Sequence, residues 1–249
     1  MGEDSAVGVG EGTGGEFKAR LERVLDRIER AARRAGRDPT DVKLVAASKA
    51  VPVERLREAL ACGCRAFGEN RVQEALAKMD ALGMYPRLEW HLIGPLQSNK
   101  VRAVVGRFTL IHAVDRVEVA ERLDHAARER GCLQPVLLEV NVAKEKTKHG
   151  FSPEDLMSAV ERVGALAGLQ VLGLMAIPPA AVSPEAARPH FRKVRDLAAR
   201  VEACRVPGVS MTELSMGMSG DFDIAIEEGS TLVRIGTALF GPRPVTEKL

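Results

Sequence analysis

The chain has 249 residues, of which 45% are apolar, 28% charged and 4% aromatic, and its 36 Lys and Arg against 34 Asp and Glu leave a formal net charge of +2. That balance belongs to a globular chain and excludes a disordered or fibrous one; it supplies neither the basic field nor the aromatic platforms that binding to nucleic acid or an anionic membrane needs. The longest uncharged apolar run, Val171 to Val182, is short of the roughly 20 residues that cross a bilayer and contains Pro178 and Pro179, so no transmembrane helix is expected.

The opening Met-Gly-Glu-Asp-Ser-Ala has no basic and apolar leader, and Ala6 stands where a myristoylation motif has Ser or Thr, which makes the cytoplasm the expected compartment. Residues 1–15 are rich in glycine and read as a flexible tail, with the domain running over 16–249. Gly10, Gly12 and Gly15 match G-x-G-x-x-G, but no strand precedes them, so they lack the context of a dinucleotide turn. From Phe17 the apolar residues Leu21, Val24, Leu25, Ile28, Ala32 and Ala35 recur at helical spacing and stop at Gly36. An amphipathic helix therefore opens the domain.

KLVAASKA (43–50) reads as a strand covered on both faces, and Pro52 then begins a helix through Val53, Leu56, Ala59 and Leu60 that Gly63 ends. RAFGEN (65–70) is the second strand; a helix bearing Val72, Ala75, Leu76, Met79 and Leu82 follows, and LEWHLIG (88–94) is the third. RFTLIHAVD, PVLLEVNV, LQVLGLMAIP, ELSMGMS and LVRIGTALFG continue the series, with helical stretches near 96–105, 116–130, 153–167, 185–203 and 220–229. Ser152 with Pro153 and Asp155 makes an N-terminal cap for the helix after the fifth strand. Eight strand-helix steps in this length, without a Gly-rich turn after the first strand, predict a single α/β domain: a (β/α)8 TIM-type barrel preceded by an N-terminal helix. The four cysteines, Cys62, Cys64, Cys132 and Cys204, form no CxxC pair and no zinc spacing; they are expected to be reduced thiols, and no metal is expected.

A barrel of this kind works at the C-terminal ends of its strands. Lys49 ends the first strand, where partial desolvation would lower its pKa and prepare it to attack an aldehyde; a strand-end lysine reaching for water is the other reading. Ser215-Met-Gly-Met-Ser219-Gly220-Asp221 after the seventh strand and Arg234-Ile-Gly236-Thr237 at the eighth lie where barrels usually bind phosphate, since glycines admit backbone N–H groups and hydroxyls add donors. Gly217 and Gly220 alone are compatible with an ordinary turn. Arg234 is alternatively a structural partner for Glu227, Glu228 or Asp221.

The segments VAASKAV, AFGENRVQE, WHLIGPLQSNK, NVAKEKTKHGF, GLMAIPP and LSMGMSGDFDIAIEEGSTLVRIGTALFG together resemble the pyridoxal phosphate homeostasis protein family over about residues 17–243. The resemblance implies one barrel related to the N-terminal domain of bacterial alanine racemase, with pyridoxal 5'-phosphate held as a Schiff base on Lys49. It further implies that Ser219, Gly236 and Thr237 hold the phosphate, that Arg234 faces the pyridine nitrogen and that Asn70 lies near the ring.

Pyridoxal enzymes that need a strong electron sink keep the pyridine nitrogen protonated with a carboxylate, whereas a permanent cation such as Arg234 weakens the sink. Racemisation also needs acid/base groups on both faces of the α-carbon. Tyr85, the only tyrosine, precedes the third strand at the far end of the barrel; His91 and His112 are candidate substitutes for that acid/base group, although strand histidines satisfied by their neighbours are the commoner case; His149, with Lys146 and Lys148, reads as a basic loop, either solvated or binding phosphate-bearing molecules. The favoured function is a noncatalytic or barely catalytic carrier that buffers the cofactor and delivers it to pyridoxal-phosphate-dependent apo-enzymes, and a monomer is expected. The alternative is an amino-acid racemase with a minimal one-domain site, and an aldolase-like Schiff-base barrel stands third.

Overall fold

The computed structural model describes residues 12–143, 145, 149–179 and 182–242. The tail through residue 11, and Lys146 and Lys148 of the basic loop, lie outside the described residues.

Helix α1 (Gly12–Arg34) begins ahead of Phe17, where its apolar spacing starts. Phe17, Leu21, Val24, Ile28, Ala31 and Ala32 fall on one face and are all buried, each large side chain contributing about 1.5–3 kcal/mol. The alternation that follows is β1 (Lys43–Ala47), α2 (Val53–Ala61), β2 (Ala66–Glu69), α3 (Val72–Leu82), β3 (Glu89–Leu92), α4 (Val101–Val104), β4 (Leu110–Val114) and α5 (Val117–Glu129). It continues through β5 (Gln134–Glu139), α6 (Leu156–Gly164), β6 (Leu169–Met175), α7 (Arg188–Ala203), β7 (Val209–Ser215), α8 (Phe222–Glu227), β8 (Leu232–Ile235) and α9 (Thr237–Phe240). The strands pair in chain order, all parallel, and β8 closes on β1 with Val45 opposite Arg234, so the sheet is a closed eight-stranded barrel. Among the described residues no helix is long and apolar enough to cross a membrane.

Two apolar layers result. Val45, Ala66, Ile93, Leu110, Ala113, Leu137, Met175 and Leu232 fill the barrel interior, and the larger cluster lies between the strands and their helices. Interior space is tight at β2: a Cβ on Gly68 would stand 2.9 Å from Ile93 Cδ1 and 3.0 Å from Val45 Cγ1, so any side chain there would force Ile93 to shift. Helix α1 packs on α8 and α9, where the Phe17 and Phe240 rings lie 5.4 Å apart and Arg27 pairs with Asp223 at 2.5 Å. Ser152 caps as its sequence context predicts: its Oγ accepts from Asp155 N at 3.0 Å and donates to Asp155 Oδ2 at 2.6 Å just before α6.

Two boundaries differ from the sequence pattern. The apolar run 232–241 is not one strand, because the chain turns at Gly236 and winds into α9. Strand β7 begins at Val209, before the run ELSMGMS, since Val209, Ser210 and Met211 are only partly covered, Thr212 is exposed, and the four carry little apolar signal.

Candidate functional site

Lys49 sits half-buried directly after β1, between buried Ser48 and exposed Ala50. Both neighbours are held from α3. Lys78 Nζ donates to Ser48 O at 2.7 Å, and Glu74 Oε1 accepts from Ala50 N at 2.6 Å while also taking Lys78 Nζ at 2.6 Å. Ala50 has φ +59°, a left-handed conformation that non-glycine residues rarely adopt, and the Glu74 bond fixes it there. Below this clamp Glu69 Oε1 accepts from Lys78 Nζ at 2.7 Å and from Ser48 Oγ at 2.6 Å, while Glu69 Oε2 is buried with no hydrogen-bond partner. Burial pushes the Glu69 carboxyl above its usual range, and the bonds from Lys78 and Ser48 oppose that. The backbone on either side of Lys49 is thus immobilised by a buried ionic network.

Lys49 lines a cavity of about 230 Å³ with Ser219, Arg234, Gly236 and Thr237, and with Met218 and Phe240 among its apolar walls. Arg234 is 4% exposed, and its Nη1 donates to Ser215 O at 2.7 Å and to Ser215 Oγ at 2.5 Å while Nη2 donates to Ala176 O at 3.0 Å. Burial brings its pKa down to about 10, opposed by the charges of Glu139 and Asp221, so it stays cationic at neutral pH. Ser219 Oγ accepts from Ala238 N at 3.3 Å, which ties the β7 exit to α9. A Cβ on Gly236 would stand 3.2 Å from Ala47 O, so a side chain there would crowd the strand end and the cavity floor. Gly217, by contrast, owes its identity to packing: φ is +91° and a Cβ would stand 2.6 Å from Ala225 Cβ of α8. Gly220 meets nothing within 4 Å.

Asn70 is the sequence candidate set apart. It lines an adjoining cavity of about 210 Å³ with Glu139, Asn141, His149 and Ile177. In that region His149 Nδ1 stands 3.2 Å from Asp115 Oδ2, and burial, with Asp115 adding to it, pushes the Glu139 carboxyl up to about 6. The ion-pair alternative for Arg234 is corrected: Glu227 pairs with Arg34 and Arg188, and Glu228 with Arg188, Arg192 and Arg195. Asp221 Oδ1 instead accepts from Met218 N at 2.7 Å. His91 and His112 are buried in the barrel interior and hydrogen-bonded to neighbours, and Tyr85 lies before β3 with its ring 5.3 Å from the Arg65 guanidinium.

The residues 20–244 match the alanine racemase N-terminal domain family. The pyridoxal phosphate homeostasis protein of Aquifex aeolicus is 51% identical over 224 residues, covering 90% of this chain and 97% of its own length. That of Pseudomonas aeruginosa is 46% identical, covering 90% and 94%. The chain belongs to the pyridoxal phosphate homeostasis protein family. Solved structures similar to it include PipY of Synechococcus elongatus with pyridoxal phosphate bound, at TM-score 0.78, 40% identity and coverage of 90% of this chain and 100% of that one. An unknown protein from Bifidobacterium adolescentis superposes at TM-score 0.87 with 36% identity, covering 94% and 98%. An alanine racemase from Clostridium difficile has TM-score 0.70 at 17% identity, covering 92% of this chain but 58% of its own, a likeness of fold alone.

Sequence reasoning missed Ser48, Glu69, Glu74 and Lys78. One signal was present: Lys78 falls beside Ala75 and Met79 on the apolar face of α3, where a lysine needs a buried partner.

Proposed function

We propose that the chain binds pyridoxal 5'-phosphate in the cavity between β1, β7 and β8 and acts in the cytoplasm as a carrier that buffers it and gives it up to apo-enzymes. The observation that carries this reading is the single cavity shared by a clamped lysine, a buried arginine and the Ser219, Gly236 and Thr237 cluster. These residues fit the group: an amine for the aldehyde, hydroxyls and glycine backbone for the phosphate, and a fixed cation for the ring edge. When bound, the cofactor would supply an aldehyde able to condense reversibly with amines, and Lys49 is the amine that would hold it. Ser219 and Thr237 would donate to its phosphate from their hydroxyls, and Gly236 would keep the floor open. Arg234, held by Ser215 and Ala176, presents a cation that does not give up its proton near neutral pH, which disfavours a second positive charge on the ring nitrogen. Asn70, which lines the neighbouring cavity, would lie near the ring.

A second reading has one observation behind it. Glu139 lines the cavity next to Asn70 with its carboxyl pushed up to about 6, a range suited to acid/base work, so a feeble amino-acid racemase is the alternative. Two assays separate them. The loaded protein should restore activity to a cofactor-free aminotransferase and should leave L-amino acids unracemised. Racemisation near about one turnover per second would favour the enzyme.

A further inference from the structure

The barrel axis holds a file of polar side chains that the binding reading leaves unused. Lys43 Nζ of β1 donates to Glu89 Oε2 of β3 at 2.7 Å, and that oxygen stands 3.2 Å from His91 Nε2. His91 Nδ1 lies 2.8 Å from His112 Nε2 of β4, and His112 Nδ1 lies 2.8 Å from Ser215 Oγ of β7. Ser215 Oγ then accepts from Arg234 Nη1 at 2.5 Å. His112 and Ser215 are fully buried and His91 is 2% exposed, whereas the Lys43 and Glu89 side chains are 47% and 32% exposed. The file therefore runs from the solvent at the N-terminal end of the strands to the cavity wall.

Its two ends determine where every proton sits. Arginine has donors only, so Ser215 Oγ accepts from it and is left with its own O–H to give. The Glu89 carboxyl, held down to about 2 chiefly by His91 and also by Lys43, only accepts, so the hydrogen between them is on His91 Nε2. A neutral imidazole has one N–H. His91 Nδ1 must then accept, His112 Nε2 must donate to it, and His112 Nδ1 must take the Ser215 hydroxyl proton. Burial holds both imidazoles below the usual histidine range, with Lys43 of β1, Glu89 of β3, Glu213 of β7 and Arg234 of β8 as the charged groups around them. A proton added at His112 Nδ1 would set donor against donor, and the Ser215 hydroxyl would have to turn its hydrogen away from the imidazole.

We infer that His91, His112 and Ser215 are positioning residues for Arg234: a hydrogen-bonded file of one polarity that keeps the Ser215 hydroxyl oxygen turned to the guanidinium and so fixes the cation at the cavity wall. This rests on reading that cavity as the cofactor site.

Nitrogen NMR of histidine-labelled protein, free and loaded with pyridoxal 5'-phosphate, reads the file directly. Both imidazoles should be predominantly neutral with the hydrogen on Nε2 at about pH 6.5, where an ordinary histidine is half protonated. In Ser215→Ala the Glu89 end should still keep the hydrogen on His112 Nε2, while cofactor affinity should fall about three- to tenfold, against a larger loss in Arg234→Ala. A protonated His112, or hydrogen on its Nδ1, in the wild type would overturn the inference. So would unchanged affinity in Ser215→Ala beside a clear loss in Arg234→Ala. Unchanged affinity in Arg234→Ala would sink the placement of the cofactor instead, and the tautomers of the ligand-free protein then decide the file by themselves.

Discussion

Replacing His112 by glutamine should make the barrel less sensitive to acid. His112 is fully buried with both ring nitrogens in hydrogen bonds, and burial, reinforced by His91 and Arg234, holds its pKa well below the ordinary 6.5. Below that pH the unfolded chain takes up a proton at this position and the folded barrel does not, so stability is complete above about 6.5 and is lost as pH falls toward the folded value. From about pH 7 to about pH 5 the loss is about 2 kcal/mol for His112, and up to the same again for His91 to the extent that Glu89 lets it stay neutral. Glu139 works in the opposite sense: its carboxyl, raised to about 6, takes a proton on folding and returns about 1 kcal/mol over the same interval. Glu69, also raised, adds to that return. Glutamine keeps an acceptor and a donor for Ser215 and His91 but does not titrate. Urea unfolding followed by circular dichroism at the two pH values should therefore show His112→Gln losing about 2 kcal/mol less than the wild type, whatever its starting stability. Equal losses in the two proteins would refute the reasoning, because His112 would then be charged in both states or in neither.

Lys78→Met should strand the Glu69 carboxyl and cost about 3–5 kcal/mol, a fall in melting temperature on the order of 10 °C, with part recovered in the Lys78→Met, Glu69→Gln double variant; no recovery would mean that the ion pair is not the cause. The double change Ser219→Ala, Thr237→Ala should weaken cofactor retention at least about tenfold by fluorescence titration, and undiminished retention would remove both hydroxyls from the phosphate. Gly217→Ala should cost about 1–3 kcal/mol by urea midpoint, since φ is +91° and Ala225 Cβ would be 2.6 Å away, while Gly220→Ala should be nearly silent; the reverse order would contradict the assignment of Gly217 to packing.

Much of the barrel was legible because its signals are local. Apolar strands alternate with amphipathic helices, Ser152 and Asp155 mark a helix start, and the position of Lys49 at the end of the first strand follows from chain order alone. The gathering of Lys49 with Ser219, Arg234, Gly236 and Thr237 in one cavity follows from barrel closure, which brings β8 beside β1. What the sequence hid depends on side chains meeting across distant strands. His112 and Ser215 are 103 positions apart and touch only through the interior, and the hold on Arg234 by Ser215 and Ala176 needs the β6, β7 and β8 register. The placement of Asn70 in the adjoining cavity is of the same kind, since Gly94 packs so closely on its backbone that a Cβ there would stand 2.6 Å from Asn70 O.

The central claim is that Lys49 holds the cofactor. Borohydride reduction of the pyridoxal 5'-phosphate-loaded protein, followed by peptide mass mapping, tests it most directly. The account predicts one reduced adduct, on Lys49, and its disappearance in Lys49→Ala while phosphate-held cofactor remains detectable before reduction. An adduct mapped in the wild type to Lys78, Lys100 or any other lysine in place of Lys49 would contradict it.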